Sequence, residues 1–468
     1  MRFGCFIILC NTLSSLFSQS VWPYGFTKKD LEGSSIGIQI RDFKTDSVIY
    51  EYDADRVLVP ASIQKILSTA AAMELLKPEY RFKTALGFAS PNTKNSNKKF
   101  LVVFGSGDPS LGSRYNSESN LQVFKEWFNA IKRNGYPLTD IGLTVDASAC
   151  DWKIPGEWIW NDIGNYYGVA PGAINYLDNY CTVYLKNNPT TPGNWVYKTE
   201  PDIPKSYIQI KSYLDADSSG EVLSAYGTPT DKIRHITGSV LPNQNDANLK
   251  VSLPYPADVL GYDFLNYLKY HGISISHHTS NYKSHSWSAV DTFYFHLSPP
   301  LKTLIQQTLL HSINLYAEAM VLKMGNGNYN RGVEILNTFW NNNIPKSLPP
   351  VLMDGSGLSR SNGVSAKFMC SALSYALKQP AYGSLFEQCL AVCGQPGGLQ
   401  GFAAGSVLTN NLKGKSGYMS RVRSYTGVFQ AQSGRKLVFC IMVNNSFAPN
   451  KRIKACIEQF LLHHYSIH

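Results

Sequence analysis

The stretch "PASIQKILSTAAAM", Pro60 to Met73, places a serine three residues ahead of a lysine at the head of an alanine-rich apolar run. Ile66, Ala70 and Met73 recur at intervals of four and three, which predicts a helix with one apolar face. Pro78 stands just beyond, where helices stop. Residues three apart share a helix face, so Lys65 can reach the Ser62 hydroxyl. Burial and a neighbouring positive charge lower the pKa of a lysine, and a neutral amine can then take the serine proton. The plainer alternative is that Ser62 only caps the helix, and this stretch alone favours that cap. The same Ser-x-x-Lys spacing recurs at Ser96 and Lys99 and at Ser280 and Lys283, but inside the polar runs "NSNKK" and "HHTSNYKSH". Ser62 alone opens a segment apolar enough to be buried.

The flanks indicate what this helix packs on. "SIGIQIRDFKTDSVIYEYDADR" holds two β-prone runs around "DFKTDS", a hairpin pattern. The C-terminal part reads as the strands "NNLKGKSGYM", "RVRSYTGVFQAQ" and "LVFCIMVNN", with the turn "SGRK" before the last, then the helix "KRIKACIEQFLLHHY". An N-terminal hairpin and three C-terminal strands can share one antiparallel sheet with helices on its faces. Residues 82–282 read differently. Short β-prone runs such as "KFLVVFG", "IGLTVDA" and "NLKVSLP" dominate, interrupted by the helical stretches "LQVFKEWFNAIKRNG" and "ADVLGYDFLNYLKYHG". "DTFYFHL" follows as a strand, and "PPLKTLIQQTLLHSINLYAEAMVLKMG" as helices with a break near Ser312.

That break carries a second pattern. Ser312 and Asn314 form a Ser-x-Asn, in which a hydroxyl can relay a proton and an amide can hold a carbonyl. Alternatively, Ser312 caps the next helix. A third pattern, Lys415-Ser416-Gly417, lies on a predicted strand, where a cation and a hydroxyl can bind a carboxylate and the glycine lets a ligand approach the backbone. Alternatively, the strand simply ends in a bulge or turn at Gly417. Each pattern is weak alone; the order Ser-x-x-Lys, Ser-x-Asn, Lys-[Ser/Thr]-Gly is that of β-lactamases and penicillin-binding proteins. Ser312 follows Ser62 by 250 residues, and Lys415 follows Ser312 by 103.

The chain resembles the class C low-molecular-mass penicillin-binding proteins, the D-alanyl-D-alanine carboxypeptidase/endopeptidases. Besides the three motifs, "FGSGDPSLG", "EWIWNDIGNYYGVAPGAINYLDN" and "MDGSGLSR" resemble segments of that family, as does the long gap before Ser312. The resemblance implies an α+β fold, with a penicillin-recognising (β-lactamase/transpeptidase-like) domain of antiparallel sheet flanked by helices. It also implies a β-rich insertion between the first and second motifs. The expected division is a leader over 1–20, a serine DD-peptidase domain from 21–82 and 283–468, and an inserted block, of one or two subdomains, over 83–282.

The resemblance further implies roles. Ser62 would attack the D-Ala peptide carbonyl with Lys65 as base, and Ser312 would relay the proton to the leaving group, helped by Lys415. Asn314 would hold the acyl side, Lys415 and Ser416 the terminal carboxylate, and the N–H groups of Ser62 and Tyr418 the oxyanion. Asp162 would meet the amine end of a diaminopimelate side chain and Arg360 its carboxylate. The implied partners are peptidoglycan stem peptides and, as covalent inhibitors, β-lactams, with no metal or cofactor. Ser416 stands where the family usually has Thr, and Tyr418 where it usually has a small hydroxyl residue.

Arg2, the apolar "FGCFIILC" and the small residues of "SLFSQS" read as a secretory leader, and Leu9 before Cys10 is not the small residue a lipoprotein site wants. An exported protein is expected, with no later run long enough to span a bilayer, and the family resemblance implies the periplasm. The formal net charge of +10 comes from lysines and arginines spread along the chain, without a nucleic-acid motif. Seven scattered cysteines remain after the leader, an odd number that makes no disulfide framework, though Cys150 and Cys181 are a possible pair. Three rival readings use the same residues: a β-lactamase, an esterase with Ser-Lys chemistry, and an inactive wall-binding protein. Glu157 to Asn161 has Glu-x-x-x-Asn spacing but precedes the second motif, against the class A β-lactamase pattern.

Overall fold

The computed structural model describes residues 22–92, 99–116, 119–135, 141–152, 154–187, 195–242, 244–275, 277–283 and 287–468. The expected leader and Ser96 lie outside them. The expected sheet forms from both chain ends. In order it runs Ala391–Val392, Lys413–Met419, Val422–Gln430, Lys436–Asn444, Ser35–Asp42 and Val48–Tyr52. Every neighbouring pair is antiparallel, and Ser35–Asp42 joins the two ends by pairing Ile38 with Ile441.

"LVFCIMV" is apolar without alternation because both faces of its strand are covered. Val438, Cys440 and Met442 enter one core, with Leu67 and Phe368. Leu437, Phe439, Ile441 and Val443 enter another, with Ile38, Ile457 and Phe460. The helix Ala366–Lys378 closes the first face and Asn450–Ile467 the second. Ser365 caps the former by accepting from the Phe368 N–H at 3.1 Å.

The Ser62 segment differs from expectation in two ways. Ala61–Gln64 is a short 3-10 turn, and the α-helix runs Lys65–Leu76. Every residue from Lys65 to Met73 is buried, so the helix is covered all round and not on one face. Four helices pack on it: Leu301–His311, Asn314–Met324, Tyr329–Asn343 and Ala366–Lys378. The small side chains of Ser68, Thr69, Ala70, Ala71 and Ala72 let them approach, and Trp340 Nε1 donates to Leu67 O at 3.1 Å. Tyr329–Asn343 was not anticipated: its asparagine-rich sequence has poor helix propensity, and buried Leu336, Phe339 and Trp340 hold it.

Residues 83–297 form three further sheets around a third core. One is mixed, in the order His278–Asn281, Gly142–Asp146, Phe100–Phe104, Lys83–Pro91, Trp287–Leu297. Two are three-stranded, built from residues 180–252. The strand Trp287–Leu297 pairs antiparallel with Lys83–Pro91, so we propose that the inserted block extends to Leu297 and not to 282. All seven described cysteines are free thiols, Cys150 and Cys181 among them. No helix among the described residues is long and apolar enough to cross a membrane.

Candidate active site

Ser62 does not cap its helix. It sits inside the 3-10 turn, which has no side-chain cap, directly after Ala61 at φ +50°. A non-glycine residue in that region carries backbone strain, of order 1–3 kcal/mol. The side chain is turned instead to Lys65, whose Nζ lies 3.0 Å from Ser62 Oγ. Lys65 Nζ is also 2.6 Å from Asn314 Oδ1 and 2.8 Å from Ser356 O. Lys65 is completely buried, and this burial brings its pKa down to about 7 against the opposing pull of the Glu318 and Asp354 carboxylates.

Ser312 is no cap for the following helix either. It ends Leu301–His311 in the left-handed region at φ +59°, and the position before Asn314–Met324 has no side-chain cap. This kink brings Ser312 and Asn314 together to the cleft. Asn314 Nδ2 donates to Tyr167 O at 2.8 Å, so the amide is oriented between Lys65 and the middle block.

The third motif lies on Lys413–Met419, next to the Ser62 turn. Lys415 is buried, its Nζ donates to Ser416 O at 2.8 Å, and burial, with the Lys65 charge, holds its pKa well below the usual lysine range. Ser416 Oγ donates to Gly398 O at 3.1 Å. Gly417 is needed for packing against the Ser62 turn. A Cβ there would lie 2.2 Å from Ser424 Oγ, 2.8 Å from Pro60 O and 3.1 Å from Ser62 N. The glycine lets the strand press against the Ser62 turn. The Tyr418 side chain is exposed, with the Arg423 guanidinium 5.5 Å from its ring centre.

A single cleft of 460 Å³ is lined by Ser62, Ser312, Asn314, Tyr418, Asp162 and Arg360, among others. Lys65, Lys415, Ser416 and Gly417 lie behind or beside it. Asp162 is held up to the cleft by its own segment. Trp158 Nε1 donates to Asp354 Oδ2 at 2.8 Å, and Trp158, Ile163 and Leu358 pack together. Burial raises the Asp162 pKa, while the Arg360 charge and a hydrogen bond with the Tyr167 side chain oppose the rise. Among the described residues no three His, Cys, Asp or Glu side chains gather as a metal site.

A serine at the cleft, a buried lysine of lowered proton affinity behind it and a facing Ser-x-Asn are an arrangement whose chemistry suits acyl transfer. The family model for the D-Ala-D-Ala carboxypeptidase 3 (S13) family matches residues 25–463. The chain belongs to this S13 peptidase family. It is a serine-type D-alanyl-D-alanine carboxypeptidase of the penicillin-binding class. It is 25% identical over 441 residues to the D-alanyl-D-alanine carboxypeptidase DacB of Haemophilus influenzae, covering 89% of this chain and 87% of that one. It is 24% identical over 453 residues to penicillin-sensitive carboxypeptidase A of Dictyostelium discoideum, covering 88% and 83%. The crystal structure of penicillin binding protein 4 from H. influenzae shares the fold, with a TM-score of 0.76, 23% identity and coverage of 94% and 97%.

Within the S13 site, residue reasoning alone missed the groups that aim the predicted ones. Tyr167 O, Ser356 O, Gln64 and Asp354 all act through backbone or buried contacts, which leave little trace in a linear pattern. The glycines of "MDGSGLSR" were the available signal.

Proposed function

We propose that Ser62 is the nucleophile of this carboxypeptidase and Lys65 the base that activates it. The carrying observation is Lys65 Nζ, fully buried and set 3.0 Å from Ser62 Oγ, with its pKa brought down to about 7. The Ser62 hydroxyl proton passes to the neutral amine as Oγ bonds to the D-Ala carbonyl carbon. The N–H groups of Ser62 and Tyr418 hold the oxyanion, an interaction whose loss typically costs about 10²–10³ in rate. The C–N bond then breaks, and the leaving amine takes a proton delivered through Ser312, with Lys415 beside it. Water releases the acyl group from Ser62. Asn314 holds the acyl side, and Lys415 and Ser416 the terminal carboxylate. Asp162 and Arg360 receive a side chain that ends in both an amine and a carboxylate.

The substrates are peptidoglycan stem peptides, and the place of action is the periplasm. A structure of the H. influenzae protein in complex with a β-lactam supports β-lactams as covalent inhibitors here. A peptidoglycan endopeptidase of Bdellovibrio bacteriovorus has the same fold, with a TM-score of 0.51 at 16% identity. Digestion of purified muropeptides tests the reading, with Ser62→Ala as control. Terminal D-Ala should be lost and crosslinked dimers converted to monomers, in both cases only with Ser62 present. Acylation by a fluorescent penicillin should rise with pH up to about 7 and then level, because the neutral fraction of Lys65 grows through that point. Absence of Ser62-dependent labelling and product would sink the proposal.

A further inference from the structure

We infer that Glu318 is a positioning residue for Lys65, acting through the turn Asp354–Gly357. The inference rests on Lys65 being the base. Glu318 projects from Asn314–Met324, the helix that Asn314 opens, and is fully buried. It cannot reach substrate. Its two oxygens grip consecutive amides of the turn: Oε1 accepts from Ser356 N at 2.8 Å and Oε2 from Gly355 N at 2.9 Å. Oε2 also accepts from Tyr329 OH at 2.5 Å. The carbonyl of Ser356 is the one 2.8 Å from Lys65 Nζ. One carboxylate therefore holds, by its N–H, the residue whose carbonyl presents an acceptor to the base.

The turn has little room to move. A Cβ on Gly355 would lie 2.7 Å from Ala317 O, and Gly357 has φ +82° with a Cβ position 2.0 Å from Ala61 O. The turn is thus wedged between the Glu318 helix and the residue before the nucleophile. Asp354 secures its start, accepting from Gln64 Nε2, Asn362 Nδ2 and Gly357 N on one oxygen and from Trp158 Nε1 and Ser359 N on the other.

The acid is suited to this job over its amide. Three donors converge on two oxygens, and glutamine would offer one acceptor oxygen and an NH₂ facing other donors. The charge also bears on Lys65. The ionisable groups around the base are Glu318, Asp354 and Lys415, with Tyr329 behind Glu318. Burial raises the Glu318 pKa to about 7, and the Asp354 charge adds to the rise. Its negative form favours protonated Lys65, opposing the effect of burial. Glu318 accordingly helps set both the place and the proton affinity of the base.

The test is the second-order rate of Ser62 acylation by a fluorescent penicillin from pH 5 to 9, in wild type, Glu318→Gln and Tyr329→Phe. Glu318→Gln should lower the plateau at least tenfold, and the acid limb should move about one pH unit lower, because Lys65 loses a negative neighbour. Tyr329→Phe keeps the acid but removes a donor that favours its ionised form. Its acid limb should move the same way by a few tenths of a unit. An unmoved acid limb in both variants, or in Tyr329→Phe if only that one folds, would overturn the inference even with a lowered plateau, since a merely structural role leaves the limb in place. Failure of wild type to be labelled would instead overturn Lys65 and Ser62 as base and nucleophile.

Discussion

The six-stranded sheet and the three-stranded sheet of residues 209–240 are built from strands of similar length, yet they serve opposite purposes. In Lys436–Asn444 every residue but the first is buried, between two helix-covered cores. In Gln209–Ala216 none is buried, and residues alternate between exposed and partly exposed up to Asp215, with Asp215 and Ala216 both exposed. The first sheet is a frame that carries Lys415 and packs against the Ser62 turn. The second belongs to a block whose contribution to the cleft is confined to a few segments, including Asp162, Tyr167 and Tyr180. A site needing sub-ångström placement of a base is built where interdigitated packing leaves no slack.

The sharpest break of this contrast is Gly417→Ala in the frame. The added methyl has no space beside Ser424 Oγ and Pro60 O, so the strand must move away from Ser62. Acylation by fluorescent penicillin should fall at least about 100-fold, the scale of losing one oxyanion donor. A rate within threefold of wild type would show that the frame tolerates slack. Next comes Asp162→Asn, in the block. Removing the charge should lower kcat/KM about 10- to 100-fold for stem peptides with a free side-chain amine, as expected for a lost charged hydrogen bond. β-Lactam acylation should change little, because the frame is untouched. Equal losses on both ligands would mean that the block also shapes the frame. The smallest effect belongs to Tyr213→Ser on the open sheet, where the ring is 56% exposed. Thermal and urea unfolding should stay within about 0.5 kcal/mol of wild type. A larger loss would mean that this face is covered.

Much of this was readable from residues, for reasons that differ by element. "LVFCIMV" and "SIGIQI" announced their strands because burial on a sheet demands sustained β-branched and apolar content. The helix after Ser62 was readable, but its burial on every side was not, since periodicity does not reveal how many neighbours surround a helix. Ser62 and Ser312 looked like caps because a polar residue ahead of an apolar run has the same local pattern whether it caps or reacts. The close contact that Gly417 makes between its strand and the Ser62 turn was not legible, because it depends on a neighbour about 350 residues away along the chain.

By itself the sequence determined the ingredients: which serine stands before a lysine on an apolar helix, which hydroxyl and amide lie at a helix break, and which strands flank them. Local chemistry and periodicity are properties of neighbours in the chain. Only the tertiary structure decided that Lys65 touches Asn314, 249 residues away along the chain, and the Ser356 carbonyl, 291 residues away. It also decided that Lys65 is dry. Proton affinity depends on desolvation and on charges brought close by folding, and no spacing along the chain encodes either.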